Sequence, residues 1–216
     1  MRNIRWEIIF YIVVFVIVLF MAFNGYSLPL IIEVAMATSF VAFIIHFFYP
    51  LALEKRIDRV EYFLHGQKNT PGLYINYVLA NRLEDESKIT MEQLMNKYKL
   101  ESARAPYKAA YGLYRNDMNA VQEAVPYIRF SDYRAYYETI LLLEDGKSAQ
   151  AREHLKSIKK RWMRSALLAE IELRAGSIDT SIIHARDAID SSRGVHRYVI
   201  HKEYERTLPQ AIEPIS

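Results

Sequence analysis

Polar and apolar positions divide the chain into two materials. From Ile8 to Phe23 the sequence reads IIFYIVVFVIVLFMAF and carries no charge. As a helix at about 1.5 Å per residue, this run falls slightly short of a roughly 30 Å hydrocarbon core. Trp6 and Tyr26 extend it at the two interfaces. A second apolar run, Leu28 to Leu53, is long enough to cross with some tilt. Asn24-Gly25-Tyr26-Ser27 and Pro29 lie between them, and that is turn chemistry. The pattern therefore predicts a tight hairpin of two transmembrane helices within residues 1–53, over about 7–26 and 28–53. A cleaved signal peptide would have a shorter apolar region and a small-residue cleavage site, and Ala22-Phe23-Asn24-Gly25 is a poor one. Core helices of a soluble domain would show a polar face, and the first run has none.

Beyond Pro50 the pattern turns amphipathic. Leu53, Ile57, Val60 and Leu64 fall on one helical face, with charges elsewhere. The spacing predicts that the second span runs on as a juxtamembrane helix to Gly66. Gln67-Lys68-Asn69 then serves as a linker, so that helix and linker occupy 54–70. Thr70-Pro71 opens the next domain as N-cap and first helical residue.

From position 71 the pattern recurs every thirty residues. Tyr77, Tyr107, Tyr137 and Leu167 share one column, and Leu83, Leu113, Leu143 and Leu173 share another. Leu79, Ala109, Thr139 and Ala169 form a mostly small column, while Glu86, Asn116, Gly146 and Gly176 mark a turn inside each unit. A fixed period in this range is the mark of stacked helical pairs, each covering the apolar face of the last. A closing helix with Val195, Ile200 and Tyr204 is expected to cap the open end, and 209–216 to fray. The fold class read from the pattern is all-α. It comprises a two-helix transmembrane hairpin and a cytoplasmic α-solenoid of about four 30-residue helix-turn-helix repeats plus a capping helix, over 71–208.

Two of these units resemble a known family. The run LLLEDGKSAQAREHLKSI is similar to a tetratricopeptide repeat, with its turn glycine Gly146 and Ala151 five positions on. ELRAGSIDTSIIHARDAI resembles a second copy, with Gly176, Ser181 and Ala188 in the matching columns. The family's usual period is about 34 residues, and its helix-A tryptophan and closing proline are absent here. The resemblance implies a binding groove for protein partners.

Charge orients the hairpin. Arg2 and Arg5 precede the first run, Lys55, Arg56 and Arg59 follow the second, and the loop between holds no Lys or Arg. The positive-inside rule then places both termini in the cytoplasm of a multi-pass, bacterial-type protein of the inner (plasma) membrane. Glu33 and His46 fall within the second run, where an ionisable group is either functional or snorkels to an interface. Setting aside Arg2, Arg5, Glu7 and Glu33 from 28 basic and 25 acidic residues leaves 26 and 23, still net +3. That balance is too mild for a dedicated nucleic-acid protein. Lys156, Lys159, Lys160, Arg161 and Arg164 cluster, either as a solvated face or as a membrane-facing patch.

The usual marks of catalysis are missing. There is no cysteine, so no thiolate metal site and no thiol nucleophile. His65, His154, His184, His196 and His201 form no helix-spaced metal pair with a carboxylate. No phosphate-binding, dinucleotide or nucleophile-elbow glycine motif occurs. These residues argue against an enzyme, and for no cofactor and no small-molecule substrate.

Tyrosine is the informative excess. Ten of the sixteen lie between Tyr74 and Tyr137. Tyr107, Tyr111 and Tyr114 share one helical face, and Tyr77 and Tyr137 align with Tyr107. If that face is concave, these five line a groove for a protein partner, since tyrosine is enriched at binding hot spots. The same rings could instead fill gaps between helices. The function expected is a membrane-anchored scaffold or adaptor. The alternative is an accessory or regulatory subunit of a larger membrane transporter or membrane enzyme, docked through its two transmembrane helices.

Overall fold

The computed structural model describes residues 4–213, with side chains from Tyr11 onward. Arg2, part of the predicted basic flank, and residues 214–216 lie outside the described residues. The described chain is helical, with no strand, and divides into two compact units after Leu53.

The first unit is a helical hairpin. Helix α1 (Ile4–Phe23) packs against α2 (Leu28–Phe43). Gly25 makes the turn at φ +73°, a conformation open to glycine because it has no Cβ. A π-helical turn (Ile44–Phe48) and α3 (Tyr49–Ala52) continue α2 without a break. Together they form a 25-residue helix, Leu28–Ala52, of mean hydropathy 2.2, long and apolar enough to cross a membrane.

That helix does not run on as predicted. It ends at Ala52, and the chain is extended before α4 (Ile57–His65). The reason is Glu54, which is 5% exposed. Its Oε1 accepts hydrogen bonds from the backbone N–H groups of Lys55 (2.9 Å) and Arg56 (3.0 Å), a local side-chain turn that competes with a continued helix. The amphipathic face is real: Val60 and Leu64 are fully buried. They face the second unit, however, so 54–70 belongs to that unit and is not a tether.

In the second unit α5 (Pro71–Ala80) pairs with α6 (Glu84–Lys97), and α7 (Glu101–Tyr114) with α8 (Met118–Ala124). Next, α9 (Ser131–Glu144) pairs with α10 (Ser148–His154), and α11 (Arg161–Arg174) with α12 (Ile178–Ser191). The first helices start at 71, 101, 131 and 161, thirty residues apart. Helices α8 and α10 are only seven residues long and close in a 3-10 turn, Val125–Tyr127 and Leu155–Ser157. This shortening accommodates the thirty-residue period.

Asn116, Gly146 and Gly176 hold the turn column at φ +58°, +73° and +79°. The first pair departs: its positive-φ residue is Arg82, four positions before the expected Glu86. Helix α5 is ten residues long where α7, α9 and α11 are fourteen, so its turn comes one helical turn early. A second repeated device joins the units. Arg104, Arg134 and Arg164 stand thirty apart, and each donates to the carbonyl six residues back: Tyr98, Ile128 and Ile158, at 2.5, 2.9 and 2.8 Å. The arginine satisfies a carbonyl in the connection that precedes its own helix.

Helix α13 (Gly194–Thr207) differs most from expectation. It does not cap one end. It packs against α12 and also against α4 and α5, so the last helix closes onto the first. Gly194 donates its N–H to the Glu54 carbonyl (2.7 Å), Asn81 donates to the Tyr198 hydroxyl (2.6 Å), and Arg206 donates to the Ala80 carbonyl (2.7 Å). No residue from Ser192 to Tyr204 is exposed, although the helix carries Arg197, His201 and Lys202. The chain after it is docked, not frayed, as far as Ala211. Leu208 and Ala211 are 3% and 5% exposed, and Arg186 donates to the Gln210 carbonyl at 2.9 Å.

Candidate functional site

The five tyrosines of the predicted groove do not share one surface. Tyr137 is 8% exposed and lies in the central core with Ile140, Leu143, Met163 and Leu167. Burial, with Tyr136 and Tyr133 nearby, pushes its hydroxyl far above the usual tyrosine range. A ring so enclosed meets no partner. Tyr77 is partly buried in the cluster around Tyr74, Val78 and Leu94, with His65 edge-on at 5.2 Å. Tyr107 stacks on Tyr98 with ring centroids 5.8 Å apart. A Cβ at Gly72 would come within 2.9 Å of the Tyr107 hydroxyl and 3.3 Å of the Tyr98 hydroxyl, so both rings wedge against the start of α5. Burial and the neighbouring Tyr98 push Tyr107 up to about 12. For Tyr77, Tyr107 and Tyr137 the structure favours gap filling.

Tyr111 and Tyr114 are different. They stack on each other at 5.9 Å and are only partly buried. The Arg82 guanidinium lies 5.0 Å over the Tyr114 ring and donates to the Tyr114 carbonyl at 3.0 Å. Tyr111 lines an open hollow of 580 Å³ between α6 and α7. Met95, half-buried, lines the same hollow with the edge of Met91, itself 7% exposed and part of the core beneath. Lys88, Lys108 and Arg115 are its basic members and Glu92 its acidic one, and Lys108 pairs with Glu101 at 2.5 Å. Methionine thioethers adapt to varied apolar shapes, and a tyrosine beside them adds rigid area and a polar tip. Sequence reasoning missed Lys88, Met91 and Met95 as one helical face, whose middle member, Met91, is buried. Their i, i+3, i+7 spacing on α6 was the available signal. The aligned arginines 104, 134 and 164 were equally visible in the thirty-residue register.

Helix α13 meets the first turns of α9 and α11. Tyr133 of α9 meets His196 of α13, with Oη to Nε2 at 3.1 Å, and Trp162 of α11 stacks on the same imidazole at 4.7 Å. Burial, with some help from the Lys160 charge, lowers His196 to about 4, so this ring is neutral at physiological pH.

The basic cluster is drawn apart into separate contacts. Lys156 pairs with Glu153 (2.7 Å), and Lys160 sits 4.6 Å over the Tyr133 ring. Arg161 pairs with Asp187, which also accepts a hydrogen bond from the Ser165 hydroxyl. Arg164 holds the Ile158 carbonyl, and the backbone N–H of Lys159 donates to Asp132 at 2.9 Å. His154 contacts Thr139 and Glu138, at 3.0 and 3.4 Å, and is remote in the sequence from His184. Among the described residues no three metal-ligating side chains come together.

No protein-family model, no curated protein and no solved structure matches this chain.

Proposed function

We propose that this protein is a membrane-anchored adaptor that presents a tetratricopeptide-like α-solenoid at the cytoplasmic face. The α6–α7 hollow serves as its partner site. One observation carries the reading: the partly buried Tyr111 and Met95 line an open hollow beside Lys88, Lys108 and Arg115. An apolar strip flanked by cations suits an amphipathic helix with acidic flanks, a common mode of helix recognition. Both termini are cytoplasmic in this reading, with α1 and the Leu28–Ala52 helix as two spans. The Arg2, Arg5 and Lys55, Arg56, Arg59 flanks support that orientation.

The test places a photo-crosslinking residue at Tyr111 in the full chain, in native membranes, with Asp145 as control. A discrete adduct at 111, absent at 145 and lost in Lys88→Glu/Lys108→Glu, is expected. Indistinguishable adducts at both positions would refute the assignment of the hollow.

One observation favours the second reading, an accessory subunit docked through its hairpin. The π-helical turn Ile44–Phe48 contains His46, and such turns recur at functional sites. Replacing 1–53 with an unrelated anchor separates the two: an adaptor keeps its crosslink at 111, whereas an accessory subunit loses function with its own helices.

A further inference from the structure

Helices joined by short turns pack antiparallel, so the connections alternate between two edges of the second unit. Those within pairs form one edge, and those between pairs, at 98–100, 128–130, 158–160 and 192–193, form the other. Contacts knit the between-pair edge together. Lys159 N–H reaches Asp132 (2.9 Å), Lys160 lies over Tyr133 (4.6 Å), and Trp162 stacks on His196 (4.7 Å). Gly194 N–H reaches the Glu54 carbonyl (2.7 Å), which sets the start of the unit on the same edge.

The two edges differ in charge. The between-pair edge carries Lys99, Arg129 and Lys159, thirty residues apart, all exposed, with Lys97, Lys160 and Arg193 beside them, against the half-buried Glu101 and Asp132. The within-pair edge carries Glu84, Asp85, Asp117, Glu144, Asp145 and Asp179 against Arg82, Arg115, Lys147 and Arg174, so acidic groups lead there. Apolar groups accompany the basic edge: Leu100 and Phe130, again one period apart, are 66% and 70% exposed, and Tyr127 is 53% exposed. Exposed apolar residues set among lysines and arginines are the make-up of a membrane-surface face. Connectivity names the membrane. Glu54 follows the end of the apolar helix, Ala52, by two residues, which span at most about 7 Å.

We propose that the between-pair edge lies on the anionic surface of the membrane this chain spans. Leu100 and Phe130 sit at headgroup depth, while Lys99, Arg129 and Lys159 face phospholipid phosphates. The inference rests on Leu28–Ala52 crossing that membrane. It leaves the α6–α7 hollow free for a partner.

The absence of cysteine makes the test direct. Single substitutions Leu100→Cys, Phe130→Cys, Asp145→Cys and Phe40→Cys in the full chain each receive an environment-sensitive fluorophore. The labelled proteins are reconstituted in vesicles of equal parts phosphatidylglycerol and phosphatidylcholine, with spin-labelled lipids as quenchers. Shallow quenchers are expected to dim positions 100 and 130 but not 145, and deep quenchers to dim 40. The triple variant Lys99→Glu/Arg129→Glu/Lys159→Glu should shift the docking equilibrium by on the order of a hundredfold, at about fivefold per basic residue. About 1 M salt should act likewise, because it cuts the screening length to about 3 Å. Quenching at 40 with none at 100 and 130 overturns the docking alone. Equal quenching in pure phosphatidylcholine overturns the role of charge. No deep quenching at 40 overturns the membrane reading, and this proposal with it.

Discussion

Removing α4 tests the closed arrangement of the second unit. Val60 and Leu64 are fully buried, although they precede the first repeat. Exposing a buried Val or Leu forfeits about 1.5–3 kcal/mol, so the pair is worth about 3–6 kcal/mol. Losing the Glu54 carbonyl strands the Gly194 N–H, at about 1 kcal/mol more. The total is comparable with the entire stability of an ordinary domain, about 5–15 kcal/mol. A fragment of residues 54–216 should therefore unfold cooperatively in urea by circular dichroism. A fragment of 71–216, which keeps every repeat, should unfold at a much lower midpoint or lose α13 first. Hydrogen exchange at Tyr198 and Ile200 would report α13 directly. Leu64→Ala in the longer fragment supplies the single-site version, with an expected loss of about 2–5 kcal/mol. Equal midpoints for the two fragments would refute the closure and restore an open stack with α4 as a mere linker.

Two further perturbations probe separate features. Gly146→Val and Gly176→Val should each cost about 1–2 kcal/mol, a purely conformational price because nothing lies within 4 Å of an added Cβ at either position. Gly146→Asn should be nearly neutral, since Asn116 holds the same column at φ +58°; unchanged urea midpoints for both valine variants would refute the register. For His196, the folded value of about 4 lies below the ordinary 6.5, so the unfolded chain takes up a proton first on acidification. Stability from this group is intact above pH 6.5 and is lost by up to about 3 kcal/mol as pH falls towards 4. His201 is lowered in the same direction, so His196→Gln should flatten only part of the acid limb of a stability–pH curve.

Local periodicity determined much of this protein. The thirty-residue period fixed where helices begin, because backbone turns need particular residues at particular places: Asn116, Gly146 and Gly176 can take positive φ, and helices restart after them. The long apolar run from Leu28 likewise announced a helix fit to cross a membrane, since composition and length alone decide that. What a periodic pattern cannot carry is which apolar faces meet. Val60 and Leu64 looked like one face of a continuous helix, yet their helix α4 packs against α5 and against α13, more than a hundred residues away. The polar helix α13 looked like a cap. Only the closed arrangement sets it inside, where Asn81, the Glu54 carbonyl and Tyr133 meet the Tyr198 hydroxyl, the Gly194 N–H and the His196 ring. The tyrosine column suffered the same ambiguity. One register position is a wedge at Tyr107 and core at Tyr137, because exposure depends on what the next helix pair covers. That is a property of packing between distant segments, which no local spacing encodes.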